Sequence, residues 1–188
     1  MARTPSNMLP LGTTAPDFKL LDTLSNKQLT LQNLKGSTAT IIMFICNHCP
    51  FVIHVNSQIS QLAKDYKSKG VNLIAISSND VENYPDDSPE LMKQNAVNQN
   101  YTFPYLYDKT QEVAKAYNAA CTPDFYVFNK GLKLVYRGQL DNSRPGNNLP
   151  VTGEDLRHAL DCLLNNKENT STQKPSIGCN IKWKPSKF

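Results

Sequence analysis

No part of this 188-residue sequence stays apolar for long. The longest apolar run, Ala39 to Cys46, has a strand's length, far short of the roughly 20 residues a membrane helix needs. No apolar run of about 7–15 residues follows Arg3, so a secretory signal is not expected and the cytoplasm is the expected location. Internal repeats and long low-complexity segments are missing too. The net charge of +4 is not spread over the chain: residues 166–188 carry five lysines against Glu168, while the rest holds 15 basic and 15 acidic side chains. A neutral body with a solvated lysine-rich tail makes neither nucleic acid nor membrane an expected partner.

Cysteines are few and odd in number: Cys46, Cys49, Cys121, Cys162 and Cys179. That excludes the evenly paired framework of a small secreted domain, and a Cys-x-x-Cys in such a chain points to redox work or a metal. A closed zinc site needs about four ligands. No second Cys-x-x-Cys is present to complete such a site, so neither metal nor cofactor is expected. Pro50 follows Cys49 where covalent haem attachment requires His.

With 39% hydrophobic and 19% charged residues, the chain reads as ordinary globular protein, long enough to bury a core. Residues 1–15 read as an irregular lead-in, and Ala15–Leu20 and Gln28–Leu31 as short edge strands. Ala39–Ile45 is a nearly continuous β-favouring run, the pattern of a strand buried on both faces. Directly after Cys46-Asn-His-Cys-Pro the period changes. Val52, Val55, Ile59, Leu62, Ala63 and Tyr66 form one apolar helical face that Gly70 terminates. A strand at Val71–Ile76 follows, then a polar loop whose Tyr84-Pro-Asp-Asp-Ser-Pro reads as loop and helix cap. Ser88 is expected to cap a helix running to about Gln99. Then come a short strand at Phe103–Tyr107, a helix over Thr110–Asn118 and a hairpin turning at Asn129–Gly131. The last helix runs from Thr152, its expected cap, to about Leu164, with Cys162 as a packing residue. The order predicts an α/β fold with a mixed sheet between helices, an N-terminal β extension and a C-terminal tail.

Cys46 and Cys49 sit where a strand's C-terminal end turns into a helix, the edge at which reactive groups of open α/β sheets gather. The N–H groups and partial positive charge of a helix start favour thiolate, the nucleophilic form. Cys46 is expected to be the exposed attacking thiol and Cys49, deeper in the helix, the resolving one. His48 between them is the candidate for tuning the thiolate. Cys121 and Cys179 are candidate auxiliary thiols, the first open to a packing reading and the second to a place in a strap over the domain.

The strand–Cys-x-x-Cys–helix unit, with Thr122-Pro123 placed 73 residues after Cys49 and before Asp124-Phe-Tyr-Val-Phe, resembles the thioredoxin superfamily over about residues 10–165. The resemblance implies a thioredoxin-like fold, a cis peptide at Pro123 and a Thr122 backbone that holds an extended substrate chain. The Ala15-Pro-Asp-Phe opening is similar to the redoxin branch, the alkyl hydroperoxide reductase/thiol-specific antioxidant proteins. Asn47-His-Cys-Pro-Phe, Ala120-Cys-Thr-Pro-Asp-Phe and Pro175-Ser-Ile-Gly-Cys-Asn-Ile-Lys-Trp are similar to a peroxiredoxin-like subgroup with a Cys-x-x-Cys. Against the peroxiredoxin pattern Pro-x-x-x-Thr/Ser-x-x-Cys, Cys46 occupies the hydroxyl position and Ile42 the proline position.

Together these imply a redoxin domain over 1–165 with a basic tail, 166–188, packed on it or trailing from it. The expected activity is thiol–disulfide exchange through a Cys46–Cys49 disulfide. A disulfide-bearing protein, a small disulfide or a peroxide is the expected substrate, and a thiol the electron donor. Thiol-dependent peroxidase chemistry at the same pair, and a non-catalytic scaffold binding a metal or partner, are the alternatives.

Overall fold

The computed structural model describes residues 3–185; Met1, Ala2 and the end of the basic tail, Lys187 included, lie outside the described residues. In chain order the elements are β1 (Arg3–Pro5), β2 (Lys19–Asp22), β3 (Lys27–Thr30), α1 (Leu31–Leu34), β4 (Ala39–Phe44), α2 (Pro50–Lys67), β5 (Val71–Ser77), α3 (Pro89–Asn98), β6 (Tyr105–Tyr107), α4 (Glu112–Ala116), β7 (Cys121–Thr122), β8 (Asp124–Asn129), β9 (Leu134–Gly138), α5 (Glu154–Leu164) and β10 (Ile177–Asn180). A single 3₁₀ turn at Pro85–Asp87 precedes α3.

Seven strands form one mixed sheet in the order β3-β2-β6-β5-β4-β8-β9. β4 pairs in parallel with β5 and antiparallel with β8, so its backbone groups are satisfied on both edges. Every β4 residue is buried, and alternate side chains serve opposite layers. Ile41 and Met43 meet the layer containing α2, α3 and α5, through Val52, Ile59, Met92 and Leu160. Ile42 and Phe44 meet the other, where Leu31 and Ala114 sit with Tyr117, Tyr126 and Phe128. Phe44 stands edge-on to Tyr126 with ring centroids 5.9 Å apart and tilted against Tyr117 at 5.7 Å. This two-sided burial is why the run carries no polar alternation. It also fixes the strand end from which Cys46 hangs.

The helix caps depart from expectation in two places. Ser88 stands at the N-cap of α3, but its side chain makes no capping bond; Pro89 alone shapes that start. The N-cap position of α5 falls on Gly153, in the left-handed region at φ 71°, while Thr152, one residue earlier, accepts the Glu154 N–H on its hydroxyl at 3.3 Å. The buried carboxylate of Asp141 accepts from the N–H groups of Thr152 at 2.7 Å and Gly153 at 2.6 Å, adding a hold from a preceding loop to the local one. Cys162 on α5 is half-exposed beside His158, not packed in the core, because the apolar stripe closes over Leu156, Ala159 and Leu160.

A second, small sheet was not legible in the pattern. β1, expected as irregular lead-in, pairs with β10, and β10 pairs with β7, all antiparallel. The segment 177–180 of the basic tail is therefore strand, laid along the edge of β7.

Candidate functional site

β4 ends at Phe44, Ile45 continues the ladder by donating to Ile76, and the next four residues turn the chain into α2. Cys49 is the N-cap of α2 and Pro50 its first residue, a position where proline's missing N–H costs nothing. The helix start therefore acts on Cys49 rather than on Cys46. The Asn47 N–H donates to Asp87 Oδ1 at 2.7 Å and its side-chain amide to the Asp86 carbonyl at 2.8 Å. Tyr105 donates to Asn47 Oδ1 at 3.2 Å, so the two residues between the cysteines are held from both sides.

Both sulfurs lie below the surface. Cys46, expected to be exposed, is 1% exposed, and Cys49 is 0% exposed. Cys46 Sγ lies 3.4 Å from Thr122 Oγ1, and Cys49 Sγ 3.2 Å from the Thr122 carbonyl oxygen. Charge is also distributed against the expectation. Hydrogen bonding from the Cys46 thiol, reinforced by the thiol and N–H of Cys179, brings Cys49 down to about 5 although burial opposes it. Its interaction with Cys49, then burial and the Asp87 carboxylate, hold Cys46 well above the ordinary thiol range. The two directions are opposite: the surroundings favour the thiolate at Cys49 and the thiol at Cys46.

His48 Nδ1 lies 2.8 Å from Asp87 Oδ2, and its ring stacks on Tyr84 at 5.9 Å. The Asp87 carboxylate raises the imidazole above its ordinary value against the opposing effect of burial, and the Cys49 thiolate adds to the rise. Burial works against ionisation of Asp87, but His48, the Asn79 amide and the Asn47 N–H outweigh it and keep the carboxyl below its usual range. Asp87 thus biases His48, beside the pair, toward its protonated form. Asp87 closes the 3₁₀ turn Pro85–Asp87, where its sequence shows only turn and cap character. Its neighbours Pro85, Asp86 and Ser88 give turn chemistry, and nothing local reveals that its side chain reaches 40 residues back to Asn47. Donor atoms of Cys46, His48 and Asp87 all lie within 4.8 Å of one another, a set that can offer a metal three ligands.

The peptide between Thr122 and Pro123 is cis. The edge of β7 that carries Thr122 is occupied: Cys179 stands opposite Thr122 and Asn180 opposite Cys121. The same pairing brings Cys179 Sγ to 2.9 Å from Cys49 Sγ. Cys121 is fully buried, its thiol raised by burial and then by Asp124, and its sulfur faces the Pro123 carbonyl at 3.7 Å rather than the pair. Arg137, on the edge strand β9, donates to Gln173 Oε1 at 2.8 Å; Arg144 is the cation that acts on Cys121. His54 pairs with Ser143 at 2.7 Å.

The sequence profile of the AhpC/TSA family matches residues 11–137, more than half of the chain. The chain belongs to the AhpC/TSA family. Among curated relatives of this AhpC/TSA chain, the thiol-disulfide oxidoreductase ResA of Bacillus anthracis is 28% identical over 128 residues, 68% of either protein. The protein of the same name from Geobacillus kaustophilus is 26% identical over 163 residues, covering 85% of this chain and 82% of that protein. Among solved structures, an uncharacterized conserved protein from Geobacillus kaustophilus is 59% identical with a TM-score of 0.98, covering 100% of this chain and 99% of that one. A hypothetical protein from Sinorhizobium meliloti 1021 is 46% identical with a TM-score of 0.95, covering 97% and 100%. The thioredoxin domain of a Bacteroides vulgatus thiol-disulfide oxidoreductase, 18% identical with a TM-score of 0.63 over 83% and 99%, shares the fold. The chain is an oxidoreductase of the redoxin branch with a thioredoxin-like fold.

Proposed function

We propose that this AhpC/TSA protein is a thiol–disulfide oxidoreductase that cycles Cys46 and Cys49 between dithiol and disulfide. The observation carrying the reading is the pair of sulfurs at the start of α2, both set against Thr122 beside the cis peptide, with the surroundings of Cys49 favouring its thiolate. A thiolate of that kind attacks one sulfur of a substrate disulfide and expels the other as thiolate. Cys46 then loses its proton to the medium and attacks Cys49. That closes the Cys46–Cys49 bond and releases the second substrate thiol; an external thiol donor restores the pair. The charge distribution reverses the expected roles, making Cys49 the opening nucleophile and Cys46 the resolving thiol. His48, balanced by Asp87, supplies positive charge next to the developing negative sulfur. A disulfide-bearing protein or small disulfide is the substrate of this reading, and the cytoplasm, where thiols are kept reduced, its location.

Reduction of a small aromatic disulfide and of insulin, each coupled to dithiothreitol, tests it. Wild type turns over, Cys49→Ser loses all exchange, and a redox titration against glutathione detects the Cys46–Cys49 bond. Turnover in Cys49→Ser at the wild-type rate, or a pair that never oxidises, overturns the reading. The clustering of Cys46, His48 and Asp87 within 4.8 Å favours a second reading, a metal-holding scaffold. Stoichiometric zinc that survives dialysis, without exchange activity, identifies it.

A further inference from the structure

Of the three cysteines that the Cys46–Cys49 reading leaves unused, Cys179 is the one whose sulfur lies against Cys49. Cys179 Sγ lies 2.9 Å from Cys49 Sγ across 130 residues of chain. Several independent features put it there. β10 runs antiparallel to β7 with Cys179 opposite Thr122, next to the cis peptide. Gly178 permits the approach: a Cβ added there would stand 1.9 Å from the Thr122 carbonyl oxygen, inside any real contact distance. Ser176 donates through its hydroxyl to the Pro123 carbonyl at 2.5 Å and through its N–H to Ser6 Oγ at 2.8 Å. Beyond β10, Lys182 donates its N–H to Asn79 Oδ1 at 2.8 Å, and Gln111 Nε2 donates to the Lys182 carbonyl at 2.8 Å. A segment fastened at both ends is not a loose cover; it is a fixed wall of the sulfur site.

We propose that Cys179 is a third redox thiol that trades disulfides with Cys49, and that β10 is a built-in peptide substrate occupying the edge of β7. The inference deepens the exchange reading and rests on it for the identity of Cys49 as the exchanging sulfur. In the step itself, the Cys179 thiolate attacks Sγ of Cys49 in the Cys46–Cys49 disulfide. The Cys49–Cys179 bond forms as the Cys46–Cys49 bond breaks, the electron pair leaves on Cys46, and Cys46 takes up a proton equivalent to the one Cys179 released. One disulfide replaces another with no net oxidation. The step returns Cys46 to the thiol form while the protein keeps its two-electron oxidation. In the dithiol form Cys179 is pushed up to about 12, first by burial and then by the Cys49 thiolate. Once Cys49 is bonded its charge is gone, that second cause lapses, and Lys182 still favours the Cys179 thiolate. The arrangement therefore activates Cys179 when Cys49 becomes an electrophile and quiets it when Cys49 is a nucleophile.

Disulfide mapping by mass spectrometry after oxidation with oxidised glutathione tests the inference. In Cys46→Ser, the glutathione first caught by Cys49 is expelled and a Cys49–Cys179 linkage accumulates; in Cys179→Ser only Cys46–Cys49 forms. Gly178→Ala, which pushes β10 off β7, is expected to slow Cys49–Cys179 formation at least tenfold while Cys46–Cys49 still forms. A lasting glutathione adduct on Cys49 of Cys46→Ser, with Cys179 still reduced, overturns the inference and leaves the exchange reading standing. Should Cys46→Ser fail to fold, wild type titrated across glutathione potentials decides, since a Cys49–Cys179 peptide missing at every potential overturns it. Failure of the exchange reading looks different: wild type then shows neither the Cys46–Cys49 bond nor turnover.

Discussion

At Cys49 two opposing effects meet, and their balance can be titrated. Burial disfavours a buried thiolate, but donors from Cys46 and Cys179 prevail and set the group near 5. The thiolate absorbance near 240 nm is therefore expected to rise in a step centred at about pH 5, and to lose that step in Cys49→Ser. The linkage follows from the direction. The folded value lies below the unfolded thiol's ~8.5, so this contribution to stability is full above about pH 8.5 and is lost as pH falls through about 5. The difference in melting temperature between wild type and Cys49→Ser should shrink accordingly on acidification. His48 carries the opposite sign. Its value is raised chiefly by Asp87, so its contribution is complete below the unfolded ~6.5 and disappears as pH rises through the folded value. Asp87→Asn is expected to drop the His48 titration, followed by imidazole proton NMR, below that in wild type, because burial is then left to act largely unopposed. An unmoved titration would mean that Asp87 is not what charges His48. The cysteine motif itself was plain in the sequence, since strand, turn and helix surround it directly. The identity of the thiolate was not, because it depends on which donors the tertiary fold aims at which sulfur.

Helix starts show what local reading does and does not capture. Pro50 at the first position of α2 was legible because proline's constraint is its own. The start of α5 was legible only in part: Thr152 accepts the Glu154 N–H, but the N–H groups of Thr152 and Gly153 turn to a carboxylate more than ten residues away. Asp141 is buried and accepts from Ser143, Thr152 and Gly153, so removing it strands three donors. Asp141→Ala is expected to cost about 2–4 kcal/mol in urea denaturation, and Thr152→Ala less than about 0.5 kcal/mol. Comparable losses for the two would show that Thr152 holds the start as firmly as Asp141. The central strands were read well for the same reason that Pro50 was. β4 and β5 are apolar almost throughout because both faces and both edges are covered, and that coverage is written into consecutive residues.

On the scale of the whole molecule, the least legible part was what the tail does. Strands of three and four residues, β1 and β10, too short to show alternation, carried no periodic signal, yet they close a three-stranded sheet beside the sulfurs. The same long connection sets a stability prediction. A bond between Cys49 and Cys179 closes a loop of about 130 residues, for which loop entropy gives about 5 kcal/mol. Closing the four-residue Cys46–Cys49 loop gives about 2 kcal/mol on the same scale. Protein oxidised in the Cys46→Ser background should therefore gain more in denaturant midpoint over its reduced form than Cys179→Ser does over its own. Equal gains would show that the long bond does not form.

The pairing of β10 with β7 also sets an order of events at birth. A ribosome must add 130 residues after Cys49 before the residue opposite it exists. Throughout that interval the nascent chain carries a cysteine with no strand beside it, and contacts of such long separation are late to assemble. Maturation of the sulfur site thus waits on the synthesis of β10, and cellular thiols have their best access to Cys49 before that strand arrives.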